Sequence, residues 1–165
     1  MGPERRAWVP PAWVAWGAVV AAFAFAAVSL LWATGSTLGL DTLGGSVERL
    51  GRERDPALLA ANAVALVLKL LGGVLALALV QPWGRRLPQR PLLALGWLGA
   101  AVLVVYGVLQ VGTLVLVAAH VLVPDEPLSD RALRWRLLLW EPWFGVWGLL
   151  LAGATLRCRR LRGGV

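Results

Sequence analysis

Lys69 and Glu141 are ionisable side chains set in stretches that are otherwise almost wholly apolar. Charge is costly in such surroundings and tends to be kept where it does chemistry, so both are candidate functional groups. Glu141 stands in the segment Trp140-Glu141-Pro142-Trp143-Phe144. An acid beside aromatic faces can protonate an apolar substrate, and the rings can then stabilise a carbocation by cation–π attraction. A carboxylic acid kept from water also retains a proton for donation. Asp41 offers a second carboxylate and His120 an imidazole. Tyr106, Gln110, Thr113 and His120 recur at helical spacing and form one stripe, as do Phe25, Ser29 and Trp32, and Asn62 shares a face with Lys69. Ser29, Asn62 and Thr113 read as structural groups that hydrogen-bond between helices.

Other chemistry is excluded by composition. One histidine and one cysteine cannot build a protein zinc site, and the chain has no P-loop, nucleophile elbow or H-E-x-x-H. Cys158 is alone, so an internal disulfide and redox chemistry of the C-x-x-C kind are out of reach; it reads as a reduced bystander thiol in a C-terminal tail. No metal or organic cofactor is called for.

The elements that must position these groups are long and apolar. Hydrophobic residues make up 59% of the 165 and charged residues 15%, too lopsided for a water-soluble fold of this size. Four apolar runs are separated by turn-forming breaks: residues 12–33, 57–80, 92–123 and 137–156. Each is long enough to cross a bilayer core of ~30 Å as a helix, and none has the period-two alternation of a membrane barrel strand. The expected fold is all-α, one four-helix transmembrane bundle over 1–165, with small residues at Gly72-Gly73, Gly96/Gly99 and Gly145/Gly148 letting helices approach closely. The first run is too long for the apolar core of a signal peptide and is read as a retained helix. Pro142 biases Glu141 away from helical geometry, which predicts that the fourth helix begins at this point.

Arginine sets the orientation. The N-terminus, the second loop and the tail together hold nine arginines, among them Arg5, Arg6, Arg85, Arg157 and Arg162, against one acid, Glu4. The opposite side holds six arginines, Arg136 included, against seven acids, Asp41 and Asp125 among them; Lys69 and Glu141 cancel, leaving the net +7. The positive-inside rule therefore puts both termini in the cytoplasm of a multi-pass cell-membrane protein. The basic charge is a topology signal in short loops, and no nucleic-acid partner is inferred from it. In this orientation Asn62, Gln110, Thr113, His120 and Glu141 converge on a cavity in the outer leaflet. A short amphipathic helix over Ser46 to Arg52 could cover its mouth as a lid. Lys69 must point inward and reach a partner such as Tyr106, Gln110 or Glu141.

Ten tryptophans are many for this length. Trp8, Trp13, Trp83, Trp32 and Trp135 fall at the two interfaces, where an aromatic belt explains them. Trp140, Trp143 and Trp147 either form a cation-stabilising stripe beside Glu141 or continue the belt with Trp147 facing lipid.

The segments Trp32-Ala-Thr-Gly35, Leu38-Gly-Leu-Asp41-Thr and Trp140-Glu-Pro-Trp-Phe144, with mid-helix Lys69, resemble an actinobacterial family of small four-helix membrane proteins of mostly unknown function. A looser similarity, of size and of acid-plus-aromatic content only, is to small membrane-bound cyclases of bacterial terpenoid and indole-terpenoid pathways. That likeness implies epoxide opening or alkene protonation by carboxylic acids, and no catalytic residue is carried over from it. The expected function is acid-initiated cyclisation or isomerisation of a lipophilic isoprenoid, with Glu141 as proton donor, Asp41 as second acid and Trp140, Trp143 and Phe144 as cation stabilisers. Trp32, Lys69, Tyr106, Gln110 and His120 would bind the substrate. The alternative is a non-enzymatic module: a binder of membrane lipid or another lipophilic small molecule, a small transporter, or a partner subunit. Glu141 and Lys69 would then form an ion pair or a proton-coupling site, and oligomerisation is compatible with either reading.

Overall fold

A computed structural model describes residues 8–124 and 126–162; Glu4, Arg5, Arg6 and Asp125 of the charge count lie outside the described residues. Six α-helices follow one another: α1 (Ala12–Ala33), α2 (Gly45–Glu53), α3 (Pro56–Val80), α4 (Gln89–Ala118), α5 (Asp130–Trp135) and α6 (Glu141–Arg162). A π-helical turn, Arg136–Trp140, joins α5 to α6 without a break, so the last membrane-length helix runs Asp130–Arg162. Four helices are therefore long and apolar enough to cross a membrane. Valines and leucines such as Val64, Leu68, Leu98, Val102 and Leu109 point outward from α3 and α4. An exterior this apolar is unsuited to water and suited to hydrocarbon.

Local chemistry explains several helix ends. Asp55 accepts from the N–H groups of Ala57 and Leu58 at 2.9 and 3.0 Å, and Pro56 fills the first helical position, where its missing N–H costs nothing. α1 closes with Gly35 in the left-handed region, the Gly35 N–H bonding Trp32 O and the Ser36 N–H bonding Leu31 O.

Three expected boundaries are corrected. α4 stops at Ala118 and not near Val123, because His120 adopts φ 57° and the His120 and Val121 N–H groups cap the carbonyls of Val117 and Leu116. His120 is thus part of a helix cap in an exposed turn and leaves the Tyr106 stripe. The fourth helix does not begin at Pro142. Glu141 is helical (φ −81°, ψ −41°) and its N–H bonds Arg136 O five residues back, a π register that accommodates the proline in a continuous helix. Its other end passes residue 156 to Arg162, so Cys158 is 4% exposed within the core and not in a loose tail.

Packing is uneven. α6 lies along α4 and also against α1, α1 lies along α3, and α3 and α4 scarcely touch. The α4–α6 seam depends on small residues. A Cβ on Gly107 would sit 2.6 Å from Gly145 N, and one on Gly148 would sit 2.8 Å from Val104 N. The core packs Ala15, Ala18 and Val19 against Ala76, Leu79, Ala100, Leu151 and Ala154. At one end of the bundle Arg157 donates to Pro10 O and Arg162 to Gly84 O, which gathers the start of α1, the end of α6 and the loop between α3 and α4. The opposite end carries α2, α5 and the loops around them.

Candidate functional site

Between α1, α3, α4 and α6, beneath α2, lies a cavity of about 400 Å³. Its wall takes a face from each long helix: Phe25 and Trp32 from α1, Asn62 and Lys69 from α3, Tyr106 and Gln110 from α4, and Trp140, Glu141 and Phe144 from the π turn and α6. α2 closes it from above through Val47 and Gly51, and the preceding turn adds Leu40 and Leu43. The expected amphipathic lid is present, one residue longer at each end than Ser46 to Arg52. Exposed ion pairs tie this end together: Arg49 to Glu126 at 2.9 Å and Arg131 to Asp41 at 3.2 Å.

Glu141 is 5% exposed and its partner is Arg136, whose Nε and one Nη donate to Oε1 at 3.1 and 2.9 Å. In an α-helix two residues five apart diverge in direction. The π turn brings them onto one face, closing the same five-residue interval through both backbone and side chains. No described residue donates to Oε2. By sequence Arg136 belongs with the outer loop charges, since its place at the start of an apolar run offers only a weak signal of this pairing.

Lys69 meets neither Tyr106, Gln110 nor Glu141 as a direct partner. Its Nζ donates to Ser29 Oγ at 2.6 Å and lies 4.7 Å from the centroid of the Phe25 ring, within cation–π range. Asn62 Nδ2 donates to Ser29 O at 2.8 Å. The reason is packing: α3 lies on α1, so its polar groups reach α1 first. Ser29 and Asn62 do bond between helices as expected, whereas Thr113 is exposed and bonds Leu109 O in its own helix.

The aromatic wall is a connected cluster. Phe25 is its hub, with ring centroids 5.9 Å from Trp140, 5.7 Å from Trp143 in a stacked arrangement, and 4.9 Å from Phe144 edge-on. Tyr106 meets Phe144 at 4.9 Å and Trp32 meets Trp140 at 5.5 Å. Two indoles are fixed by hydrogen bonds, Trp32 Nε1 to Leu38 O and Trp140 Nε1 to Thr42 Oγ1, both at 2.9 Å. Thr42, absent from the sequence-based candidates, thus orients a wall residue. Trp143 stands behind Phe25 and donates to Ala21 O, and Trp147 is buried against Gly72, so neither lines the cavity and Trp147 does not face lipid. Asp41 and His120 also stand outside the wall; Asp41 is engaged by Arg131.

Among the described residues, fold and cavity together define a small bundle of membrane-length helices that holds an aromatic-walled cavity with a few polar groups. The chain belongs to a family of proteins of unknown function, DUF3995, whose model matches residues 22–151. The matched range contains every residue that lines the cavity. No curated protein and no solved structure shows significant similarity to the chain.

Proposed function

We propose that the protein is a membrane-embedded binding module for a lipophilic small molecule, with both termini in the cytoplasm and the covered cavity in the outer leaflet. The observation that carries this reading is the cavity itself: its size suits a small ligand, its wall is mainly aromatic and aliphatic, and a few polar groups stand at fixed places. The test uses mass spectrometry of lipids that co-purify with the protein. Wild type should retain one class of molecule above the bulk lipid background. Ala65→Phe, which places a ring in the cavity from α3, should lose that class while keeping the helical circular-dichroism spectrum. Retention of the same molecules by the filled variant would overturn the reading.

A second reading is acid-initiated cyclisation or isomerisation of an isoprenoid, and the position of Glu141 beside Trp140 and Phe144 favours it. A proton passing from Glu141 to an alkene would leave a cation facing those rings, and return of a proton to the carboxylate would end the cycle. The likeness to small membrane-bound cyclases supports this reading through size and acid-plus-aromatic content alone. Arg136 already engages Glu141 Oε1 through two hydrogen bonds, so the side chain is held by a neighbour and not presented freely to a substrate, which favours the binding reading.

A further inference from the structure

The charge in the cavity does not balance. Lys69, Arg54 and Arg136 contribute three cations to the wall, and Glu141 contributes one anion. Arg136 and Glu141 satisfy each other at 2.9 Å. Arg54 is an exposed rim residue in the turn between α2 and α3, where water can solvate it. Lys69 is different. It is half-buried in the middle of α3, and among the described residues no carboxylate lies within ion-pair distance. Of its three donor hydrogens one is used on the neutral Ser29 hydroxyl, and the Phe25 face supplies only a partial counter-charge. A mid-helix ammonium without a counter-ion is costly in hydrocarbon, a cost that a bound anion would offset.

The surroundings of Lys69 suit an anionic oxygen group. Tyr106 and Gln110 line the same cavity and offer neutral donors. Beneath the lid Leu40, Leu43, Val47, Leu58 and Leu59 add apolar wall, beside the paired Arg136 and Glu141 and the exposed Arg54. A mainly apolar cavity with one ammonium that lacks a carboxylate partner matches a molecule with one anionic end and one hydrocarbon end. The volume suits a single chain or a fused ring system and is too small for a two-chain phospholipid.

We propose, on the basis of the binding reading above, that the ligand is a single-tailed amphiphile with an anionic oxygen head, a carboxylate or a phosphate, seated at Lys69 with its tail beneath α2. Trp32 and Trp140 line the chamber, so a tail carrying bromine quenches their fluorescence when it enters. The experiment titrates the full chain in neutral detergent with three probes that share one mid-chain-brominated octadecyl tail: stearic acid, octadecanol and octadecyl phosphate. Non-brominated stearic acid serves as competitor and identifies saturable quenching. The acid, the phosphate or both should bind about tenfold or more tightly than the alcohol, the size expected of one charge-assisted contact. Whichever anion binds more tightly identifies the head group. Lys69→Met should abolish that preference, bringing the anions to the affinity of the alcohol in the same variant, while Arg54→Gln should preserve it. An alcohol that binds as tightly as both anions overturns the head-group inference and leaves the cavity as a binding site. A preference lost in Arg54→Gln and kept in Lys69→Met also overturns it, by moving the head to the rim. If no probe shows saturable, competed quenching, the binding reading itself fails.

Discussion

At the scale of residues, the centre of the site is an ion pair and not an isolated acid. Arg136 and Glu141 are both withdrawn from solvent, with side chains 22% and 7% exposed. Removing one member of such a pair strands the other. Glu141→Leu should therefore destabilise the protein by about 3–5 kcal/mol, whereas Arg136→Leu combined with Glu141→Leu should restore most of that loss or exceed wild type. The midpoint of SDS-induced unfolding in mixed micelles measures both. Equal loss in the single and double variants would show that the two groups are not coupled. Glu141→Gln is the milder probe, since its amide oxygen can still accept from Arg136 while the acid is gone; it separates a catalytic requirement for the proton from a structural one.

Two devices at the scale of elements place that pair. The π turn before Pro142 rotates Arg136 onto the face of Glu141, and Gly107 lets α4 close on the backbone of α6 beside it. A Cβ on Gly107 would meet Gly145 N at 2.6 Å and Gly145 Cα at 3.0 Å, backbone atoms that cannot swing aside as a side chain can. Gly107→Ala should cost about 1–3 kcal/mol through overpacking. Gly112, on the same helix, has nothing within 4 Å of the Cβ it would gain. Gly112→Ala should be neutral or stabilising by up to about 1 kcal/mol, from helix propensity alone. The contrast between two identical substitutions on one helix isolates the packing effect in the same unfolding assay. Equal behaviour of the two would show that the α4–α6 seam is not a close backbone contact.

For the whole molecule the asymmetry of charge meets the asymmetry of the fold. The end that gathers the start of α1, the end of α6 and the loop between α3 and α4 is the arginine-rich one, and the end that carries the lid is nearly neutral. By the positive-inside rule a fluorescent protein fused after Val165 should fold and fluoresce in cells, and alkaline phosphatase at the same position should be inactive. The opposite result would turn the cavity towards the cytoplasm. Binding of an anionic amphiphile would then draw on the inner leaflet and not the outer one.

Much of this was legible in one dimension. The length and hydropathy of the four runs, the amphipathic helix over the cavity and the convergence of polar faces on a shared interior all follow from local composition and spacing. These properties depend on each residue's own transfer energy and on the 3.6-residue period, which the chain carries wherever it folds. The partners of the charged groups were not legible. Lys69 finds Ser29 because α3 packs on α1, and α4 packs on α6 because Gly107, Gly145 and Gly148 allow the backbones to meet. Which helix lies beside which is decided by complementary surfaces on segments far apart in sequence. The pairing of Arg136 with Glu141 was not legible because it follows a five-residue register, outside the ordinary helical period. His120 left the polar stripe because it caps α4 in a left-handed conformation that glycine more often supplies. Hydrophobic length alone settles that helices of this kind form, whereas close packing between them, felt only at van der Waals distance, settles what each polar group touches.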